Sequence, residues 1–300
     1  MTIKNHSKTC LIISAAIMVV AVLLSIFGMG INLGIDFTGG LSMQYSLGTT
    51  FSEADVHAVL DTMDVGDYTV TTQGANKDEV NIRIKSVDED GVQGVQAEFE
   101  AAMKEKYPDL NKVGDVNYVG PVAGATLLSN AFWSVLIASA LMLVYIAFRF
   151  DFNSGVAAVF GLIHDVLMML AFMVLLRSVI QMNSSFIAAM LTIVGYSINN
   201  TIVIFDRIRE NAKKMPTAAR EDVVNRSIKE CLGRTINTTL TTLITIVALY
   251  ILGVDSIKEF ALPIIIGIVS GVYSANMING YIWAILEEKK RLRKAKPKKA

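Results

Sequence analysis

The chain has 300 residues, 53% of them hydrophobic and only 18% charged, with a mean hydropathy of +0.48. A soluble domain usually carries about a quarter charged residues, so this is the composition of a membrane protein. The 27 basic residues balance 27 acidic ones, which excludes the electrostatic footprint of a nucleic-acid binder.

The first apolar run, Leu11 to Phe27, follows a basic start at Lys4 and Lys8. It is long for a secretory signal, and Gly28-Met29-Gly30 is a poor cleavage site, so it is read as a retained first span over 10–29. A polar stretch follows over 36–118. Within it Leu41, Met43 and Tyr45 alternate as in a half-buried strand, and Ser52 opens a helix carrying Val56, Val59, Leu60 and Met63 on one face. A strand at 68–72 follows, then alternating Val80, Ile82 and Ile84. A second helix carries Val92, Val95, Phe99 and Met103, and a last strand holds Val116 and Tyr118. The order βαββαβ predicts a ferredoxin-like α+β domain, a sheet covered on one face by two helices. No nucleophile-and-base constellation occurs in it, and His57 reads as a solvated helical residue.

Five further spans, each near the required 20 apolar residues, are predicted at 126–148, 155–176, 183–205, 235–253 and 259–286. Short loops set the orientation. One side holds Lys4, Lys8, Arg149, the basic residues from Arg207 to Arg234, and eight more from Lys289 to Lys299; the other holds Arg177 and Lys258. Both termini are therefore expected in the cytoplasm and the α+β domain outside. The expected parts are a cytoplasmic N-terminus (1–9), the first span, the external domain (36–118), spans two to six within 126–286, and a basic tail (287–300), solvated and near lipid. Cys10 and Cys231 fall at cytoplasmic span ends, where a disulfide is disfavoured and the thiols are read as inert.

Polar side chains inside spans must face protein or water, since a charge at the bilayer centre costs at least ~2.5 kcal/mol. His164 and Asp165 interrupt the third span. In the fourth, Thr192, Gly195, Tyr196, Asn199 and Asp206 recur at helical steps, with Ser197 and Asn200 beside them. The fifth begins at Arg234 and carries Thr238, Thr241, Thr242 and Thr245. Two such stripes on neighbouring helices predict a shared polar interior, although interhelical hydrogen bonding alone accounts for the threonines. Gly267, Ser270, Gly271 and Ser274 in the last span are read as small residues for close helix packing.

Several blocks carry a resemblance. Gly34-Ile35-Asp36-Phe37-Thr38-Gly39-Gly40 follows the first span, and Val119-Gly120-Pro121 precedes the second. His164-Asp165-Val166 lies in the third, and Gly195-Tyr196-Ser197-Ile198-Asn199 runs on to Asp206-Arg207-Ile208-Arg209-Glu210-Asn211. Together with six spans and an external domain after the first, these resemble the SecF members of the SecD/SecF family of protein-export membrane proteins, in the RND superfamily. The resemblance implies half of an RND-type bundle in the bacterial cell membrane. It implies SecD as a six-span partner, and ion-gradient-driven completion of polypeptide translocation through SecYEG, begun by SecA. It implies no enzyme activity, catalytic residue, metal or cofactor, and coupling to a proton or sodium gradient.

The family's relay combines an acid in SecD with an acid in the fourth span of SecF and an Arg in its fifth. The Arg corresponds to Arg234. The acid position corresponds to Asn200, which does not titrate. Three explanations follow: the partner's acid suffices, sodium replaces the proton on Asn and Thr oxygens, or coupling is lost. Asn200, Arg234, Asp165, Asn199 and Thr238 are thus the relay candidates. Other functional classes fare worse: an independent RND-type exporter of lipids or small molecules would have to self-associate, and an intramembrane aspartyl protease needs two facing acids, where only Asp165 lies well inside a span. No His-Glu-x-x-His zinc motif occurs.

Overall fold

A computed structural model describes residues 3–74, 76–85 and 87–295. The end of the predicted basic tail (296–300) and the first two residues lie outside the described residues. The chain divides into two compact units, Leu33–Trp133 and the remainder, Met1–Asn32 with Ser134–Ala300.

The smaller unit opens with a short helix α2 (Ile35–Thr38), after helix α1 (Ile3–Ile26) of the larger unit. It continues as β1 (Gly40–Ser46), α3 (Glu53–Thr62), β2 (Tyr68–Gln73), β3 (Glu79–Ile84), α4 (Val92–Lys106), β4 (Asn111–Lys112) and β5 (Asn117–Val119). The sheet order is β2-β3-β1-β4, with β5 also paired to β1, and all pairings are antiparallel. This is the ferredoxin-like order with its last strand split. Tyr45 and Ser46 pair with Lys112 and Asn111, whereas Ser42 pairs with Asn117, so four residues of the outer strand oppose two of β1 and bulge out. Leu41, Met43, Tyr45, Val80, Ile82 and Ile84 are buried on one face beneath Val56, Leu60, Phe99 and Met103. Alternation along β1 and β3 therefore sets the register.

The Gly-Gly pair has a steric reason. Gly39 and Gly40 hold φ of 75° and 119°, where a side chain is strained. A Cβ on Gly39 would come within 2.9 Å of the Pro121 backbone, and one on Gly40 would collide with the Ile84 carbonyl oxygen. Gly124 would in turn meet the Gly39 nitrogen at 2.8 Å. The motif thus seats β1 between β3 and the first turn of the second long helix.

That helix, α5 (Pro121–Arg149), passes into the larger unit, which continues with α6 (Phe152–Leu175), α7 (Ser184–Lys214), α8 (Arg220–Leu252), α9 (Asp255–Ser274), a π-helical turn (Ala275–Asn279) and α10 (Gly280–Ala295). The last three form one continuous span. With α1 and α5 to α8 they make six helices long and apolar enough to cross a membrane. Asp151 caps α6, accepting from the Ser154 N–H at 3.5 Å and from its hydroxyl at 2.7 Å, and Asn183 caps α7 through the Phe186 N–H at 3.0 Å. The helices run past the apolar segments read from the sequence: α8 starts fifteen residues before 235, and α7 continues to Lys214. Ion pairs at helical spacing, Lys214 with Glu210 and Arg226 with Glu230, support these polar extensions. Helices α6, α7 and α9 make the buried middle, while α1, α5 and α8 expose most of their apolar surface.

Candidate functional site

The buried middle of the bundle holds a fully buried carboxylate. Asp165 on α6 accepts from the Ser270 hydroxyl at 2.8 Å, from Ser274 at 2.9 Å and, closer still, from Ser197. His164 Nδ1 lies 3.0 Å from its Oδ1. With Nδ1 within hydrogen-bond reach of the carboxylate, Nε2 of the same ring is buried without a partner among the described residues. The His164 ring stacks on Tyr273, centroids 6.0 Å apart. Ser270 and Ser274, read from the sequence as packing residues, are donors to this carboxylate; Gly271 beside them does pack, a Cβ there meeting Ser197 Cβ at 3.1 Å.

A second polar layer follows along α7 and the π-helical turn. Asn279 Nδ2 donates to Thr201 Oγ1 at 3.0 Å, and Thr235 Oγ1 to Asn276 Oδ1 at 3.4 Å. Gly161 makes room for it, because a Cβ there would collide with the Asn279 amide. Asn200 is buried, and its Nδ2, Thr239 Oγ1 and Asn279 Oδ1 have no partner among the described residues. The oxygens and amides of this layer form hydrogen bonds without titrating.

The stripe of Thr192, Gly195 and Asn199 is exposed in the single chain, and so is that of Arg234, Thr238, Thr241 and Thr245. Within the single chain the stripes lie outside the buried middle, which Ser197, Asn200 and Thr201 line. Helical period decides which residues share a face but not which face turns inward. The two stripes nevertheless adjoin, for Tyr196 donates to Thr242 Oγ1 at 3.2 Å. Gly195, Tyr196 and Asn199 line an open cleft of about 700 Å³ against α5. Thr238, Thr241, Thr242 and Thr245 bond back to carbonyls of their own helix, Thr238 to Arg234 at 2.9 Å. Arg234 is exposed and forms no ion pair with Asp165, whose acceptor sites are filled.

The Asp206–Arg207 block makes a separate network. Asp206 pairs with Arg149 at 2.8 Å, and Arg207 with Glu210 and Glu230. Asn211 donates to Glu230 at 2.8 Å and to Ser227 at 3.0 Å. These contacts lock the polar ends of α5, α7 and α8, and Asp206 joins this lock instead of the stripe. In the smaller unit His57 is half-buried, its Nδ1 3.1 Å from the Tyr68 hydroxyl, so it is engaged and not simply solvated.

The comparisons with known proteins agree on one family. The family described as protein export membrane protein SecD/SecF, C-terminal, matches residues 98–289, and the SecD/SecF GG motif matches 24–50. Protein translocase subunit SecF of Alicyclobacillus acidocaldarius is 38% identical over 94% of this chain and 91% of its own. That of Thermodesulfovibrio yellowstonii is 39% identical over 81% and 80%. The chain belongs to the SecD/SecF family. The crystal structure of SecDF from Thermus thermophilus matches at a TM-score of 0.78 and 33% identity, covering 96% of this chain and 39% of that one. A SecDF super-membrane-facing form matches at 0.68 and 31%, over 98% and again 39%. The multi-pass helical fold with its α+β domain is thus that of a SecF subunit in protein translocation, associated with SecD, and a self-associating exporter is not favoured.

Proposed function

We propose that this chain, with SecD, uses an ion gradient to complete the passage of secretory polypeptides through SecYEG after SecA has begun it, and that it contributes no catalytic chemistry or cofactor of its own. It sits in the bacterial cell membrane with both termini in the cytoplasm, a reading supported by the basic residues crowding one set of loops. The observation that carries the proposal is the exposed polar face built by α7 and α8 around Tyr196, Asn199, Arg234 and Thr242. Inside a bilayer such a face needs a protein partner, and a second six-span bundle covers it.

Because Asn200 stands where the family's relay has an acid, the driving force, about 2.3 kcal/mol per charge per 100 mV, is captured by the partner's acid. Sodium on Asn and Thr oxygens is the alternative for coupling. The test is export of a secreted reporter with proton flux in inverted vesicles, with and without sodium. Arg234→Ala is expected to lower export while Lys229→Ala leaves it unchanged. Equal effects of the two, or sodium-dependent export by the unaltered protein, would overturn the proton reading.

A further inference from the structure

Where α6, α7, α8 and α10 end together, the larger unit holds a cavity of about 320 Å³ whose wall carries Arg209, Lys213, Arg220 and Lys290. Its acids are already engaged. Asp151 caps Ser154, and Glu287 accepts from Asn153 at 2.6 Å and lies 3.8 Å from Lys290. Arg209 and Lys213 have no carboxylate partner among the described residues, unlike Arg207, Lys214 and Arg226 on the same two helices. Among the described residues Arg220 reaches the Pro216 carbonyl, at 3.4 Å, and its shielded Nε has no partner. Topology-setting charges need only reach solvent, yet these converge on one concavity with donors left over.

Asp151 also lines a second cavity of about 360 Å³, whose other lining is apolar side chains of α5 and α6 and their junction, among them Leu143, Ile146, Phe152, Val156 and Val159. A guanidinium- and ammonium-lined cup suits a phosphodiester, and an adjoining hydrocarbon trough suits the chain attached to it. We infer that this end of the bundle is a binding site for an anionic phospholipid, with the headgroup phosphate among Arg209, Lys213 and Arg220 and an acyl segment in the trough between α5 and α6.

Native mass spectrometry of the full chain purified with SecD, loaded with phosphatidylglycerol and phosphatidylcholine in equal amounts, tests this. The complex is expected to retain phosphatidylglycerol and not phosphatidylcholine. Arg209→Gln, Lys213→Gln and Arg220→Gln together should weaken retention at least about tenfold, whereas Lys214→Gln, Lys229→Gln and Arg293→Gln, an equal loss of charge, should not. Val156→Trp fills the trough, leaves every charge in place, and should also weaken retention. Equal loss in both triple variants, equal retention of phosphatidylcholine, or no effect of Val156→Trp would overturn the proposal. So would displacement of the lipid by millimolar inorganic phosphate, which would mark a free-anion site.

Discussion

A carboxylate that holds three buried hydroxyls and a histidine ring nitrogen cannot be exchanged for hydrocarbon without stranding them. Asp165→Leu would leave the hydroxyls of Ser197, Ser270 and Ser274 without this acceptor, each costing about 1–3 kcal/mol. The expected outcome is a lower unfolding temperature of the purified complex and loss of export, with Asp165→Asn closer to wild type because an amide oxygen still accepts. Asn200 poses the opposite case. Its Nδ2 already lacks a partner among the described residues, so Asn200→Asp costs little packing but introduces a titratable group in the interior. If the partner's acid suffices, proton-driven export stays near its original level in the vesicle assay; if sodium couples, dependence shifts from sodium toward pH. Asp165 and His164 were legible in the sequence because ionisable residues interrupt an apolar run. Their partners Ser270 and Ser274 were not, because a serine four residues from another reads equally as a small packing residue.

At the scale of elements, α9 lies close against α7 because glycine stands at the contact. A Cβ at Gly267 would collide with Ile193, and Gly271 faces Ser197. Gly271→Leu should therefore push the helices apart, remove the Ser270 and Ser274 bonds to Asp165, and lower thermal stability; Gly195→Ala, where nothing lies within 4 Å, serves as the mild control. In the α+β unit, Lys106 at the end of α4 pairs with Asp55 of α3 at 2.6 Å, and Tyr107 also donates to it. The Lys106 and Tyr107 bonds hold the Asp55 carboxyl below its usual range, and the Asp55 bond holds Lys106 above its own. A lowered carboxylate contributes stability above its unfolded pKa and loses it as pH falls through the folded value. A raised lysine contributes below its unfolded pKa and loses it as pH rises through the folded one. Amide exchange in α3 of wild type and Lys106→Met should thus differ by a constant factor between about pH 5 and 9, and converge in stronger acid. Strand and helix order in this unit followed from alternation and 3.6-residue spacing. The split of the last strand did not, since Asn111 and Lys112 are exposed and carry no apolar signal.

The whole chain makes sense only with something laid against it. Its six spans were evident from apolar length, yet the direction of its polar stripes was not, because burial in a single chain and burial in a complex place the same face differently. Cysteine substitution tests the arrangement across the membrane. A probe at exposed Glu98→Cys on α4 is expected to react from outside, and one at Lys214→Cys only after access to the cytoplasmic side; the reverse pattern would invert the topology. Labelling at Asn199→Cys should be fast in the chain alone and slow once SecD is present.

The π-helical turn governs how the last span tolerates a change of length. Five residues, Ala275–Asn279, complete a wider turn inside a helix running from Asp255 to Ala295. An α-helix absorbs a one-residue insertion in this way, keeping both flanking faces in phase with their neighbours. Ser270 and Ser274 meet α6 before the turn, and Gly280 packs on Val224 of α8 after it, where a Cβ would approach to 2.7 Å. Deleting Met277 would let the turn close as regular α-helix with both flanking faces still in phase. Inserting one residue between Asn279 and Gly280 would instead advance everything beyond it by about 100°, so that the first half of the span kept its grip on Asp165 while Gly280 and Trp283 rotated out of their seats. The turn is therefore where this span absorbs a change of length, and deletion of Met277 should lower the unfolding temperature far less than that insertion.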